Sequence, residues 1–307
     1  MASLHRRWWA PALLSVGVAL ALVAPRLLGV HAVPVPSVPG PPELAYDDWG
    51  AALAATVRPD GVDYPAFVSE GEAFLRFVHG LSAVGPKSTP ERFATEPERL
   101  AYYLNAYNAL AVHGVLYHGV RATVHEVHGA LEPTPGFGFF WAQRFTLDGE
   151  TVHLYELEND VVRPFGDARI HAALNCASAS CPPLGPEPFV PERLDAQLDA
   201  ATRAWVADPE HVRVTDTEVR LNPIFDWYAE DFAEHAERLG VGTAVTDWIA
   251  HYLPERSARS LREAVAEGRP IRYPAYDWSI NAARPAPGAE DVAEEPPPAP
   301  TDGAESS

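Results

Sequence analysis

The stretch from Glu96 to His118 constrains this chain more than any other part of it. Leu100, Tyr103, Leu104, Tyr107, Ala111 and Gly114-Val115 recur at three- and four-residue steps, the spacing of a helix with a buried face. Gly119 is placed to end it. The helix also carries Asn105 and Asn108. Asparagine is a poor helix-interior residue because its amide competes with the backbone. Two of them in an apolar helix point to buried hydrogen bonds that pin loops.

The elements around this helix mix helices and hairpins. Helices are expected over 46–57, 66–81, 191–207, 225–235, 244–252 and 255–267, with Pro191 opening one of them. Asp148-Gly149 between two short β-prone runs marks a hairpin. A second hairpin is expected over 211–222, a short helix over 155–162, a short buried strand over Arg169–Leu174 and a last strand over 271–276. Pro133–Phe140, rich in glycine and aromatics, is expected to be a loop. There is no regular βα alternation and no internal repeat, so the class is α+β: a single, mostly helical domain with short strands.

The ends are different in kind. His5, Arg6 and Arg7 precede an uncharged run of 15 residues, Ala10–Ala24. That is short for a spanning helix and normal for a signal-peptide core. Val30-His31-Ala32 offers small residues for cleavage, whereas Trp8 and Trp9 could lengthen the run into an anchor. With the arginines cytoplasmic, both outcomes export the domain, leaving it periplasmic, secreted or membrane-anchored, with membrane contact only through an uncleaved N-terminus. The boundaries are therefore a signal peptide or anchor over 1–32, a proline-rich linker over 33–45, the domain over 46–282, and a disordered acidic, proline-rich tail over 283–307. A balance of 23 basic against 42 acidic residues, with Lys87 the only lysine, argues against a nucleic-acid partner.

The densest polar cluster is Arg169–Leu184, RIHAALNCASASCPPL, with His171, Asn175 and both cysteines of the chain. A Cys176–Cys181 disulfide is the first expectation. The pair is even, the destination oxidising and the spacer small, and closure would stabilise by roughly 2 kcal/mol. A thiol nucleophile is the second reading. His171, five residues before Cys176, would lie on the opposite face of a regular strand, so a dyad needs special geometry or another histidine. Zinc held by His171, Cys176 and Cys181 is the third, short of the four ligands a structural site takes. His125 and His128 read as a solvent-facing edge. Glu158 is the carboxylate best suited to orient His171 for acid–base work. No metal or cofactor is expected, and no partner can be named.

Five segments resemble the domain of unknown function 547 (DUF547): Ala101–Leu116, Phe139–Pro164, Arg169–Leu184, Ile224–Phe232 and Tyr273–Asn281, in that order. The resemblance runs over roughly 46–281. It implies family membership and a commonly exported or membrane-tethered protein, and it supplies no catalytic residues. A helix followed by a later histidine is also similar to the transglutaminase and papain-like plan, but that plan has a cysteine where this helix offers Asn105. Two functions are expected to compete. One is an extracytoplasmic hydrolase or transferase acting on peptides or small amides through His171, Asn175 and Glu158. The other is a non-catalytic envelope binding or scaffold domain. His171 is expected within hydrogen-bond reach of a carboxylate and at the border of a pocket.

A fusion of residues 1–45 to a reporter that works only in the periplasm should be active. A reporter that stays cytoplasmic would remove the export reading, and the mass of the mature N-terminus decides between cleavage and anchoring.

Overall fold

The long helix starts and stops by local chemistry. Thr95 and Glu98 form a reciprocal cap, with Thr95 N donating to Glu98 Oε2 at 2.7 Å and Glu98 N to Thr95 Oγ1 at 3.4 Å. This satisfies two donors that the helix cannot pair internally. Gly119 ends the helix in a left-handed conformation, φ 62°, which glycine adopts without a Cβ clash.

The computed structural model describes residues 30–69 and 71–284. In chain order the elements are β1 (His31–Ala32), α1 (Tyr46–Thr56), β2 (Val57–Arg58), β3 (Gly61–Val62), α2 (Tyr64–Ser69), α3 (Glu72–Ala83) and the long α4 (Glu96–His118). Then come β4 (Gln143–Leu147), β5 (Glu150–Val152), a helical turn α5 (Leu154–Glu156) that runs into a π-helical turn Leu157–Val162, and α6 (Leu194–Ala207). The chain closes with β6 (Val212–Val214), β7 (Val219–Leu221), α7 (Ile224–Trp227), α8 (Ala229–Leu239), α9 (Val245–Tyr252), α10 (Glu255–Ala266) and β8 (Ile271–Arg272). This is a single α+β domain with small sheets.

The hairpins fall where the turn residues put them. β4 and β5 pair antiparallel with Phe145 opposite Val152, across Asp148 and Gly149 at φ 52° and 77°. Two positive φ values in a two-residue loop match the right-handed twist of the strands. β6 and β7 pair antiparallel, and β8 adds to β7 in parallel. The glycine- and aromatic-rich stretch expected as a loop includes a π-helical turn, Gly138–Ala142.

Apolar side chains gather into two clusters. In the first, Trp49, Phe74, Phe77 and Phe145 pack against α4; the second holds Trp205, Phe225, Phe232, Trp248 and Leu261. The segment 168–174 lies on the seam, with Ile170 and Ala173 in the first cluster and Ala168 and Ala172 in the second.

Two expectations need correction here. Arg169–Leu174 is not a strand: Ala168–Ala172 is a 3-10 helix, begun by Asp167, whose carboxylate accepts from Arg169 N at 3.0 Å. An alanine-rich run between two helical layers has no ladder to join, and a capped helical turn pairs its own backbone instead. Arg169 and His171 consequently do not share a face. Arg169 pairs with Asp167, Asp195 and Asp199, and His171 pairs with Asp231. The proline-rich stretch 33–45 is also not a free tether. β1 pairs in parallel with β4, Val33 N donates to Arg144 O at 2.8 Å, His113 Nε2 meets Pro34 O at 3.0 Å, and Val33 and Leu44 are buried. Among the described residues no helix is long and apolar enough to cross a membrane. The segment expected to target the chain lies, up to residue 29, outside the described residues, as does the tail from residue 285.

Both helix asparagines are buried and read loop backbone. Asn105 donates to Phe189 O at 2.7 Å and accepts from Phe189 N at 2.9 Å. Asn108 donates to Ala173 O at 2.9 Å and accepts from Asn175 N at 2.8 Å. Replacing Asn108 by alanine leaves a buried carbonyl and a buried N–H unpaired, at about 1–3 kcal/mol each. Urea unfolding of Asn108→Ala should therefore show a loss of about 2–6 kcal/mol. A loss under about 0.5 kcal/mol, the range of an ordinary surface change, would mean that this amide does not hold the loop.

Candidate functional site

His171, Glu158, Cys176 and Cys181 line one cavity of roughly 340 Å³. The seam explains why they meet. The 3-10 helix presents His171 to α8 from the second cluster, the π-helical turn after α5 presents Glu158 beside α4, and the loop pinned by Asn108 presents the cysteines.

His171 is 3 % exposed. Its Nε2 lies 2.8 Å from Asp231 Oδ2, and its ring stacks on Tyr228 at 4.1 Å and packs at a tilt against Phe232 at 5.2 Å. The carboxylate that orients it is thus Asp231, not Glu158. Asp231 also takes two hydrogen bonds from Arg163, at 2.8 and 2.7 Å. Burial works against its charge, yet Arg163 and His171 hold the Asp231 carboxyl well below the usual carboxylate range. Arg163 in turn donates to Asn159 and sits 5.0 Å above the Tyr228 ring.

Glu158 accepts from Tyr228 OH at 2.6 Å and from Tyr107 OH at 3.2 Å. Burial first, and then the Glu158 charge, push both phenols up, so both stay protonated and donate.

The cysteines are free thiols, so the expected disulfide is not formed. Cys176 N instead donates to Cys181 Sγ at 2.9 Å, and Cys176 Sγ lies 3.0 Å from Ser178 Oγ and 3.3 Å from Tyr276 OH. Burial raises the Cys176 thiol, but hydrogen bonds with Cys181, Ser178 and Tyr276 outweigh it and leave the pKa below that of an ordinary thiol. Cys181 moves the other way, pushed up by burial and then by its neighbour Cys176. A thiol whose charged form is favoured thus sits beside a buried one whose neutral form is favoured.

Asn175 is not in the cavity lining. Its side chain donates to Pro182 O and accepts from Ala177 N and Asn281 Nδ2, so its work is to shape the cysteine loop. Among the described residues no group of three or more His, Cys, Asp or Glu side chains could hold a metal ion, and the zinc reading of His171, Cys176 and Cys181 falls with that geometry. His125 packs on Trp278 at 5.0 Å rather than on an open edge.

Much of the remaining lining is aromatic, with Thr134, Pro135, Leu174 and Ile224 between the rings. Trp141 stacks on Tyr155 at 4.1 Å, and Trp227, Tyr276 and Trp278 form a second cluster with centroids 4.5–6.1 Å apart. The last two stand on a strap, 274–283, that is tied to the cysteine loop through Ala179 N to Ser279 O, Ser180 N to Asp277 O and Asn281 N to Ala177 O. A larger groove of roughly 630 Å³ shares Cys181 with this cavity. Its arginines are engaged, Arg58 with Asp63, Arg213 with Glu210 and Arg220 with Glu218.

Sequence reasoning missed Asp231, Tyr228, Tyr107 and Tyr276. All four lie inside segments that carried the family resemblance, and polar residues within an apolar motif were the signal available.

Fold and cavity together define an α+β domain with a thiol, a histidine–carboxylate pair and a separate carboxylate in one aromatic-walled site. Over residues 91–206 the chain matches the family described as protein of unknown function, DUF547, which supports the family resemblance. The matched span holds Glu158, His171 and both cysteines; Asp231 and the aromatic strap lie beyond it. No curated protein and no solved structure matches the chain significantly.

The depressed Asp231 carboxyl sets the sign of an acid effect. Its folded pKa lies below the unfolded value of about 3.9, so its contribution is present above about pH 4 and is lost as pH falls towards the folded value. Urea unfolding from pH 7 down to pH 3 should show stability falling below about pH 4, and falling less steeply in Asp231→Asn. Equal slopes for the two proteins would mean that Asp231 is not held ionised by Arg163 and His171.

Proposed function

We propose that the domain is an extracytoplasmic thiol-dependent hydrolase or transferase that acts on an acyl group in a small amide or ester. The observation that carries this reading is the sharing of one cavity by Cys176, whose thiolate is favoured, and His171, whose ring is fixed by Asp231. A nucleophile, a base and a group that orients the base are the parts acyl transfer needs.

In this reading Cys176 Sγ attacks the acyl carbon, and the thiol proton passes to His171. The same proton leaves with the amine or alcohol as the C–N or C–O bond breaks. The thioester is then cleaved by water, or by a second nucleophile in a transferase, which restores the thiol. Asp231 is a positioning residue, since it acts through His171. Asn175 supports the loop. Support for the extracytoplasmic setting comes from the basic residues His5–Arg7 followed by the apolar run Ala10–Ala24.

Incubation with p-nitrophenyl acetate, followed by intact-mass and peptide analysis, should find one acetyl group, on Cys176. Cys176→Ala should carry none, and His171→Gln should slow acylation about 100-fold or more, the usual size of a lost general base. Asp231→Asn should shift the pH profile of the rate rather than abolish the adduct. Acetylation confined to other residues, or an unchanged rate in His171→Gln, would sink the proposal.

A further inference from the structure

Among the described residues that line the cavity, no Lys or Arg pairs with the Glu158 carboxyl group. Among the described residues, Glu158 is the only carboxylate that lines the cavity, and neither Lys nor Arg lines it. Its two partners, Tyr107 and Tyr228, are neutral hydroxyl donors. Arg163, the nearby cation, has its guanidinium committed to Asp231 and Asn159. A carboxylate in aromatic surroundings with only neutral donors is completed by a cation from the ligand, because the low local dielectric that makes an unpaired charge costly also strengthens the pair once formed.

The walls point to what kind of cation. Trp141 and Tyr155 stack into one aromatic surface, and Trp227, Tyr276 and Trp278 form another. The faces of Trp and Tyr carry negative potential and attract organic ammonium groups, which need no hydrogen-bond donors or acceptors in return. A sugar would also lie against such faces, but its hydroxyls need several polar partners. Here the Tyr107, Tyr228 and Tyr276 hydroxyls are already bonded to Glu158, Cys176 or Ser178. A neutral aromatic ligand would stack but would leave Glu158 without a direct ion-pair partner, its contacts being the Tyr107 and Tyr228 hydroxyls.

We infer that the substrate bears an alkylammonium group, received by the aromatic surfaces and Glu158, while its acyl group meets Cys176. This deepens the reading of the cavity as an acyl-transfer site and rests on it for the word substrate; the ammonium site itself is read from Glu158 and the aromatic lining. Glu158 thereby has a binding role rather than the acid–base role the sequence suggested. Trp227, half-exposed at 49 %, becomes a cation-binding surface residue rather than an unprotected apolar side chain.

The test uses choline and its neutral isostere 3,3-dimethyl-1-butanol as probes. Trp141, Trp227 and Trp278 report occupancy through their fluorescence, with ionic strength held constant by sodium chloride. The full-length wild-type protein should bind choline at least tenfold more tightly than the isostere. Glu158→Gln should reduce that preference to below about threefold, and Trp278→Ala should weaken choline at least fivefold. Circular dichroism and the urea midpoint show whether each variant is folded, and the wild-type comparison stands without any variant. Equal affinity for the two probes, or no saturable response to choline, overturns the ammonium site. A preference that survives in folded Glu158→Gln overturns the role of Glu158. The two readings fail separately. Acetylation of Cys176 without a choline preference removes the ammonium site alone, and a choline preference without acetylation removes the thiol chemistry alone.

Discussion

The site depends on one physical substitution: asparagine side chains of α4 do for the following loop what a neighbouring strand does in a sheet. The loop from Ala173 to Phe189 has no continuous ladder of its own, yet much of its backbone is buried, and buried backbone groups must be paired. Asn108 offers an amide that accepts from Asn175 N and donates to Ala173 O, and Asn105 repeats the pattern two-sidedly at Phe189. The network extends from there. Asn175 Oδ1 accepts from Asn281 Nδ2, and Asn281 Oδ1 accepts from Tyr64 OH at 2.7 Å. One chain of amides thus ties the central helix, the cysteine loop, the C-terminal strap and α2 together. Each member is satisfied, which is the condition under which a buried polar network specifies a structure rather than weakens it.

A second constraint follows from where that loop begins. The 3-10 helix that precedes it sits between the two apolar clusters, so a polar side chain leaving it on one side enters the gap where the clusters meet. His171 takes that path and is held between the Tyr228 ring and Asp231. Asp231 is shared with Arg163, and Arg163 covers the same Tyr228 ring from its own position. Tyr228 then reaches Glu158 with its hydroxyl. The arrangement lets two carboxylates stand near one another in distinct environments. Asp231 is neutralised by a guanidinium and oriented for the histidine; Glu158 has only phenols and faces the cavity. Two carboxylates set apart by their surroundings can take separate duties, one positioning and one binding.

What the sequence made legible was local. The ends of α4, the Asp148-Gly149 turn and the helix opened by Pro191 are decided by residues within one turn of one another, and they lie where the spacing puts them. The amide roles of Asn105 and Asn108 were legible because an asparagine inside an apolar helix needs a partner. What escaped was decided at a distance. Whether RIHAAL forms a strand depends on a neighbouring strand, and no short-range signal reports its absence. The partner of His171 lies 60 residues further on in the chain, in a helix whose acidic residues look like ordinary solvated charge. Val33 and Leu44, embedded among prolines, carry no periodicity, so nothing local reports that Val33 reaches the edge of β4 or that Leu44 lies against Gly80 of α3.

The cysteine loop shows how these levels combine. Spacing alone set His171 and Cys176 on opposite faces, because a regular strand alternates. The chain escapes that rule twice, by the 3-10 helix before Asn175 and by Ala177, whose φ of 64° is left-handed. A left-handed alanine costs about 1–2 kcal/mol, and such a residue persists only where its surroundings over-determine it. Here they do. Asn175 Oδ1 accepts from Ala177 N, and Asn281 N donates to Ala177 O. Asn175 therefore contributes without lining the cavity. It holds a strained turn beside Cys176 in place, and that turn brings the thiol of one loop into the cavity occupied by the histidine of the preceding helix.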